Sequence, residues 1–150
     1  MTIDAIVPGA HVLCAVSGGV DSMYLLHRMT ELGAQRGFAV GCAHFNHGLR
    51  GAESDRDEAF VRAQCEKLGV PFYAGRGDVA SVRGMGTEAA ARELRYAFLT
   101  RCADEHGYDW IATAHTADDN AETLLLNLAR GCGPVSYTHL RAHETGRNLV

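Results

Sequence analysis

Ser17-Gly18-Gly19-Val20-Asp21-Ser22 stands directly after the apolar run Val12-Leu13-Cys14-Ala15-Val16. A buried run that breaks into glycines predicts a strand ending in a tight turn that opens a helix. Such a turn aims several backbone N–H groups, and here two hydroxyls, at one anion. The loop has no lysine and lacks the GxxxxGKS/T spacing of a Walker loop, so it is a phosphate cradle of another type. Asp21 inside the cradle suggests a divalent cation between its carboxylate and the phosphate. Nucleotide chemistry is the first expectation.

Three further clusters carry chemistry. In His115-Thr116-Ala117-Asp118-Asp119-Asn120-Ala121-Glu122-Thr123, a helical reading puts His115, Asp119 and Glu122 at i, i+4 and i+7, nearly on one face. Carboxylates at a helix start also suit its dipole. The plainer alternative is N-capping by Asp118 or Thr116, with the remaining side chains solvated. The second cluster is His44-Phe45-Asn46-His47-Gly48-Leu49-Arg50-Gly51. Its two histidines at i, i+3 have the spacing of metal ligands, but no cysteine or third ligand accompanies them. A nucleotide-contact loop is the better reading, with His44 or Phe45 near a base and Arg50 near phosphate. Finally, Glu88, Arg92 and Arg95 share a helix face beside Tyr96, where surface ion pairing is the plain alternative.

The elements that must hold these clusters alternate as in a parallel α/β sheet. Strands are expected at 11–16, 38–43, 70–74 and 108–114. Helices are expected at 21–32 (stopped by Gly33), 53–68 (stopped by Gly69), 87–105 (stopped by Gly107) and 118–129. In the second helix Phe60, Val61, Cys65 and Leu68 can face the sheet. The glycine-bearing stretch 75–86 reads as a mobile loop. Each polar cluster then falls just past the carboxyl end of a strand, where open α/β sheets bind ligands, so one shared site is expected.

Composition agrees with a folded domain: 150 residues, 47% hydrophobic, 21% charged, three prolines. The net charge of −4 argues against a nucleic-acid surface spread over the whole segment. No apolar run approaches the ~18 residues of a membrane span. The N-terminus, with Asp4 and no positive stretch, does not read as a signal peptide. Five cysteines lie far apart with no CxxC, which suits a reducing cytoplasm.

SGGVDS after a strand resembles the phosphate loop of the N-type ATP pyrophosphatases, the PP-loop superfamily. Within it, HFNHGLR, TEAAARELRYAFL and TAHTADDNAETLLLNLARG, in that order, resemble the tRNA(Ile)-lysidine synthetase family over most of residues 11–131. The resemblance implies a Rossmann-like parallel sheet with helices on both faces, and ATP with Mg²⁺ as cofactors. It further implies a two-step ligation. ATP adenylates the C2 oxygen of the wobble cytidine in a CAU-anticodon isoleucine tRNA, releasing pyrophosphate; free L-lysine then attacks C2 and displaces AMP. On this resemblance Ser17, Gly18, Gly19, Val20 and Ser22 hold the departing phosphates and Asp21 the Mg²⁺. His115 steadies the α-phosphate or adenylate, Asp119 and Glu122 meet the incoming lysine, Arg95 meets its carboxylate or a phosphate, and Arg50 a phosphate. The related tRNA thiolases carry paired cysteines that this chain lacks. The sequence leaves the oligomeric state open, a homodimer included, and implies no membrane partner.

After Gly133 the chain departs from the family. Residues 134–145 have neither helix nor strand periodicity, and Val135 to Thr145 resembles the translation of a transposon-type sequencing adapter. The expected organisation is therefore a PP-loop domain at 1–133, truncated before its last strand, and a non-family tail at 134–150. Such a fragment would carry the adenylation site, with tRNA binding expected mainly from C-terminal regions outside it. Another PP-loop tRNA-modifying enzyme, such as a thiolase, and a non-catalytic ATP-binding domain are the alternatives. A dinucleotide-binding Rossmann domain is disfavoured, because no GxGxxG follows the first strand.

Overall fold

The computed structural model describes residues 6–46, 52–77, 87–117, 120–129 and 133–141, with side chains over 6–46, 54–77 and 89–114. In chain order the elements are β1 (His11–Ala15), α1 (Val20–Arg36), β2 (Ala39–Asn46), α2 (Ala52–Leu68), β3 (Phe72–Arg76), α3 (Thr87–His106), β4 (Trp110–Ala117), β5 (Asn120–Ala129) and β6 (Gly133–Arg141). They form one six-stranded sheet in the order β3-β2-β1-β4-β5-β6. β1 pairs in parallel with both β2 and β4, and β2 with β3. The strand order turns at β1: the chain winds outward through β2 and β3, then returns to β1's other side as β4.

Helices cover both faces of this parallel part, so its central strand is apolar on both sides. Val12, Leu13 and Cys14 have no exposed surface. Alternation sends Val12 and Cys14 to a core shared with Leu25, Leu26, Met29 and Leu32 of α1 and with Val61 and Cys65 of α2. Leu13 goes to the opposite core, against Phe98, Leu99, Cys102 and Ala103 of α3.

Several boundaries differ from expectation. α1 runs through Gly33 to Arg36, and its left-handed cap is Gly37 (φ +84°), whose N–H donates to the Gly33 carbonyl at 2.8 Å. Gly33 is needed for close approach: a Cβ there would lie 2.6 Å from the Phe38 carbonyl oxygen. β3 runs on to Arg76, so Gly75 belongs to a strand, where it admits the ring of Phe98. Residues 78–86 of the expected mobile loop lie outside the described residues. On α2, Val61 and Cys65 are buried while Phe60 is 48% exposed. Adjacent helical positions diverge by about 100°, and Val61 takes the sheet-facing direction.

The largest correction is at 118–129. The expected helix is a strand: β5 pairs antiparallel with β4 from Trp110↔Asn127 to Ala117↔Asn120. A continuous leucine run cannot be assigned by periodicity alone. The open edge of β4 pairs the backbone groups on one side of the run and β6 those on the other, and that tertiary context overrides the helical preference of Leu, Ala and Glu. Residues 134–141, expected to have no regular structure, lie in β6, which pairs antiparallel to β5 with an irregularity between Asn127 and Leu128.

Candidate functional site

The phosphate loop is built around one hydroxyl. Ser22, buried in the first turn of α1, accepts from the backbone N–H groups of Ser17 (3.1 Å) and Gly18 (3.2 Å). It also donates to the Gly19 carbonyl at 3.1 Å and stands 3.1 Å from the Ser17 hydroxyl. The Ser17 hydroxyl in turn accepts from Gly19 N–H at 3.3 Å. Gly18 has φ +101°, which an L side chain rarely adopts, and it packs beside Asp57 and Val61 of α2. Gly19 is the N-cap of α1 and makes no side-chain cap, so the helix start presents its first-turn amides outward. Val20 is highly exposed there, and Asp21 sits in the same turn, where the helix dipole favours its charge.

Two bonds tie this loop to β2. Val16 N–H donates to the Ala43 carbonyl at 2.9 Å. His44 Nδ1 lies 2.7 Å from the Val16 carbonyl oxygen. A carbonyl only accepts, so Nδ1 carries the proton and the ring's tautomer is fixed with Nε2 as its other nitrogen. His44 is buried on the α1/α2 side of the sheet. Its neighbour Phe45 points to the other side, as strand alternation requires. Asn46 returns to the α2 side and donates through Nδ2 to Asp55 (3.1 Å) and Glu58 (3.4 Å). Arg76 closes the network on the same two carboxylates, at 3.2 and 3.5 Å.

Between the strand ends and α3 lies a cavity of about 130 Å³. Ser17 and Ser22 border it on the loop side, Phe45 from β2, Arg95 and Tyr96 from α3, and Thr113 from β4. It therefore sits where the strand order turns, beyond the carboxyl ends of β1, β2 and β4. The Arg95 guanidinium lies 5.4 Å from the Tyr96 ring centroid and that of Arg92 lies 5.6 Å from it, both within cation–π range.

The predicted site residues thus fall into three groups. Ser17, Ser22 and Arg95 meet at the cavity, Gly18 to Asp21 complete the loop at the start of α1, and His44 stands behind it. His115 and Glu122 are directly opposite each other in the β4–β5 register, brought together by strand pairing and not by a helix face. Arg50 and Asp119 lie outside the described residues. Thr113 and the anchoring role of Asn46 escaped the sequence reading. The alternation of His44, Phe45 and Asn46 was the available signal for the second, since it separates two inward polar residues from one aromatic.

Three of the four described cysteines hold their protons more tightly than a free thiol, and a hydrogen bond with Cys42 shifts Cys65 the other way. Burial pushes the Cys14 thiol up to about 12, and Cys102 is raised to about 11, chiefly by burial. A hydrogen bond to Cys65, then burial, raises Cys42 as well. Thiols so raised stay neutral and unreactive at ordinary pH. Among the described residues, no cluster of three His, Cys, Asp or Glu is arranged to hold a metal ion. No helix among them is long and apolar enough to cross a membrane.

Comparison with known proteins agrees with this geometry. The PP-loop domain family model matches residues 3–149. The chain is 45% identical over 136 residues to a tRNA(Ile)-lysidine synthase of Dehalococcoides mccartyi, covering 89% of this chain and 29% of that protein. It is 52% identical over 127 residues to one from Thermus thermophilus (83% and 24%), and 48% identical over 128 residues to one from Chlorobaculum tepidum (83% and 39%). The chain thus spans about a quarter to two-fifths of the length of these relatives. Among solved structures it resembles the U34-tRNA thiolase NcsA of Methanococcus maripaludis, with TM-score 0.66 and 23% identity over 78% of this chain and 42% of that one, a likeness of fold. The chain belongs to the PP-loop ATP pyrophosphatase family, and within it its sequence stands with the N-terminal region of tRNA(Ile)-lysidine synthases.

Proposed function

We propose that this chain carries the adenylation site of an ATP-dependent ligase that joins lysine to C2 of the wobble cytidine in a CAU-anticodon isoleucine tRNA. The observation that carries this reading is the Ser17–Ser22 loop opening onto a cavity bordered by Arg95 at the turn of the strand order. In the first step the cytidine C2 oxygen attacks the α-phosphorus of ATP, and the bond to the β-phosphate breaks to release pyrophosphate. In the second, a lysine amine attacks C2, the C2–O bond breaks and AMP leaves.

The first-turn amides of α1 and the hydroxyls of Ser17 and Ser22 hold the β- and γ-phosphates, where preorganised donors stabilise charge on the departing group. Asp21 is a carboxylate beside a phosphate cradle, with no further cluster of ligands around it among the described residues. That donor set fits Mg²⁺, which is commonly held by one or two carboxylates plus substrate phosphates and water. When bound, the ion neutralises developing phosphate charge. Arg95 reaches the α-phosphate or the lysine carboxylate. His115 and Glu122, opposite each other in the β4–β5 register, are assigned with Asp119 to the lysine step on the family resemblance. Carboxylates there suit a cationic amino acid.

We assign the family domain to 1–133 and the non-family tail to 134–150, on the adapter-like sequence of the latter. Recognition of tRNA is assigned mainly to further C-terminal regions, since a net charge of −4 is a poor match for a phosphate backbone. The cytoplasm suits the reaction and the four free, buried cysteines described. The test is product analysis with labelled ATP, using a version of the chain extended by the C-terminal regions of a relative. Pyrophosphate release should need the tRNA alone, and AMP release should need both the tRNA and lysine. Release of ADP, or of AMP without lysine, would overturn the reading.

A further inference from the structure

The cavity beneath α3 contains one polar group without a partner among the described residues. Thr113 is 7% exposed, and its Oγ1 has no hydrogen-bond partner among the described residues. In register it lies opposite Ala15, two residues before Ser17, so its hydroxyl stands on the floor of the cavity whose mouth is the phosphate loop. The lining nearest in the strands is apolar: Ala15, Ala43 and Ala114 offer no side-chain partner. Buried hydroxyls in native folds are nearly always bonded, and leaving one unpaired is destabilising.

We propose that Thr113 is a ligand-contacting residue whose hydroxyl hydrogen-bonds the nucleoside of the nucleotide held at Ser17–Ser22. This rests on the nucleotide reading of that loop and adds which part of the ligand fills the cavity. Two features of the cavity favour the nucleoside end of the ligand. Phe45 and Tyr96 line it with aromatic surface, which favours a flat ring. It is continuous with Ser17 and Ser22, so its occupant is joined to the bound phosphates. A hydroxyl both donates and accepts, and therefore pairs with a ring nitrogen or a sugar hydroxyl alike.

The test uses the whole chain and its T113V and T113S variants. Calorimetry measures affinity for ATP and for inorganic tripolyphosphate, both with Mg²⁺, and a thermal melt without ligand measures stability. T113V should weaken ATP binding roughly 5- to 30-fold, the range for losing one buried hydrogen bond. It should leave tripolyphosphate binding unchanged and the melting temperature equal or higher, because an apolar isostere removes an unpaired group. T113S should restore ATP affinity. ATP binding by T113V equal to the parent's, an equal loss for both ligands, or a lowered melting temperature would each overturn the assignment. A parent chain that binds neither ATP nor tripolyphosphate would instead overturn the phosphate-loop reading, and this inference with it.

Discussion

The two halves of the sheet are held by different means. From β3 to β4 the strands are parallel, covered by helices on both faces, and packed through side chains such as Leu13, Leu26 and Ile111 that retain almost no exposed surface. From β4 to β6 the strands are antiparallel neighbours in sequence, joined by backbone pairing. The first arrangement depends on side-chain identity at every core position. In the second each strand pairs with the one before it in the chain, and an unpaired edge can take on a further strand. Under the proposed domain limits, residues 134–141 would pair as β6 at such an edge.

The largest effects should therefore fall in the parallel half. Leu26→Ala removes a fully buried side chain from the α1 core and should lower unfolding free energy by about 2–5 kcal/mol in urea titration. A destabilisation no larger than that of tail removal would break the comparison. Gly18→Ala forces a Cβ onto a φ of +101° and should cost about 1–2 kcal/mol, with a parallel loss of tripolyphosphate affinity. Alkaline pH should act through the same core. The folded Cys14 pKa of about 12 lies above its ordinary 9.0, so this thiol's contribution is complete below pH 9.0 and fades as pH rises towards 12. The urea midpoint should fall over that window, by at most about 1.4 kcal/mol per pH unit for each such thiol, and Cys14→Ala should flatten the slope. Deleting residues 134–150 should have the smallest effect, within about 1 kcal/mol by thermal melt. The encoding DNA beyond codon 133 sharpens the same point: adapter sequence there supports the assignment of the tail, and a family-like continuation overturns it.

The same contrast governs what could be read in advance. Val12-Leu13-Cys14 announces a central strand because both of its faces are buried, and local and tertiary demands coincide. The SGGVDS loop is equally plain, since glycines, serines and an acid at that spacing have few other uses. Gly33 misleads because glycine serves close packing as well as helix ends, and only the approach of Phe38 decides between them. Leu124-Leu125-Leu126 misleads for a different reason: nothing local reveals that β4 offers a free edge. Thr113 was invisible because its interest lies in the partner it lacks, and a sequence cannot display that.

The Ser22 hydroxyl has one more consequence. By collecting the amides of Ser17 and Gly18, it keeps the turn folded around a stand-in oxygen before any anion arrives. An incoming phosphate then meets a turn that is already folded and has no slack chain to freeze. Capture should accordingly be quick, governed by encounter and charge, with little of its driving force lost to ordering the host.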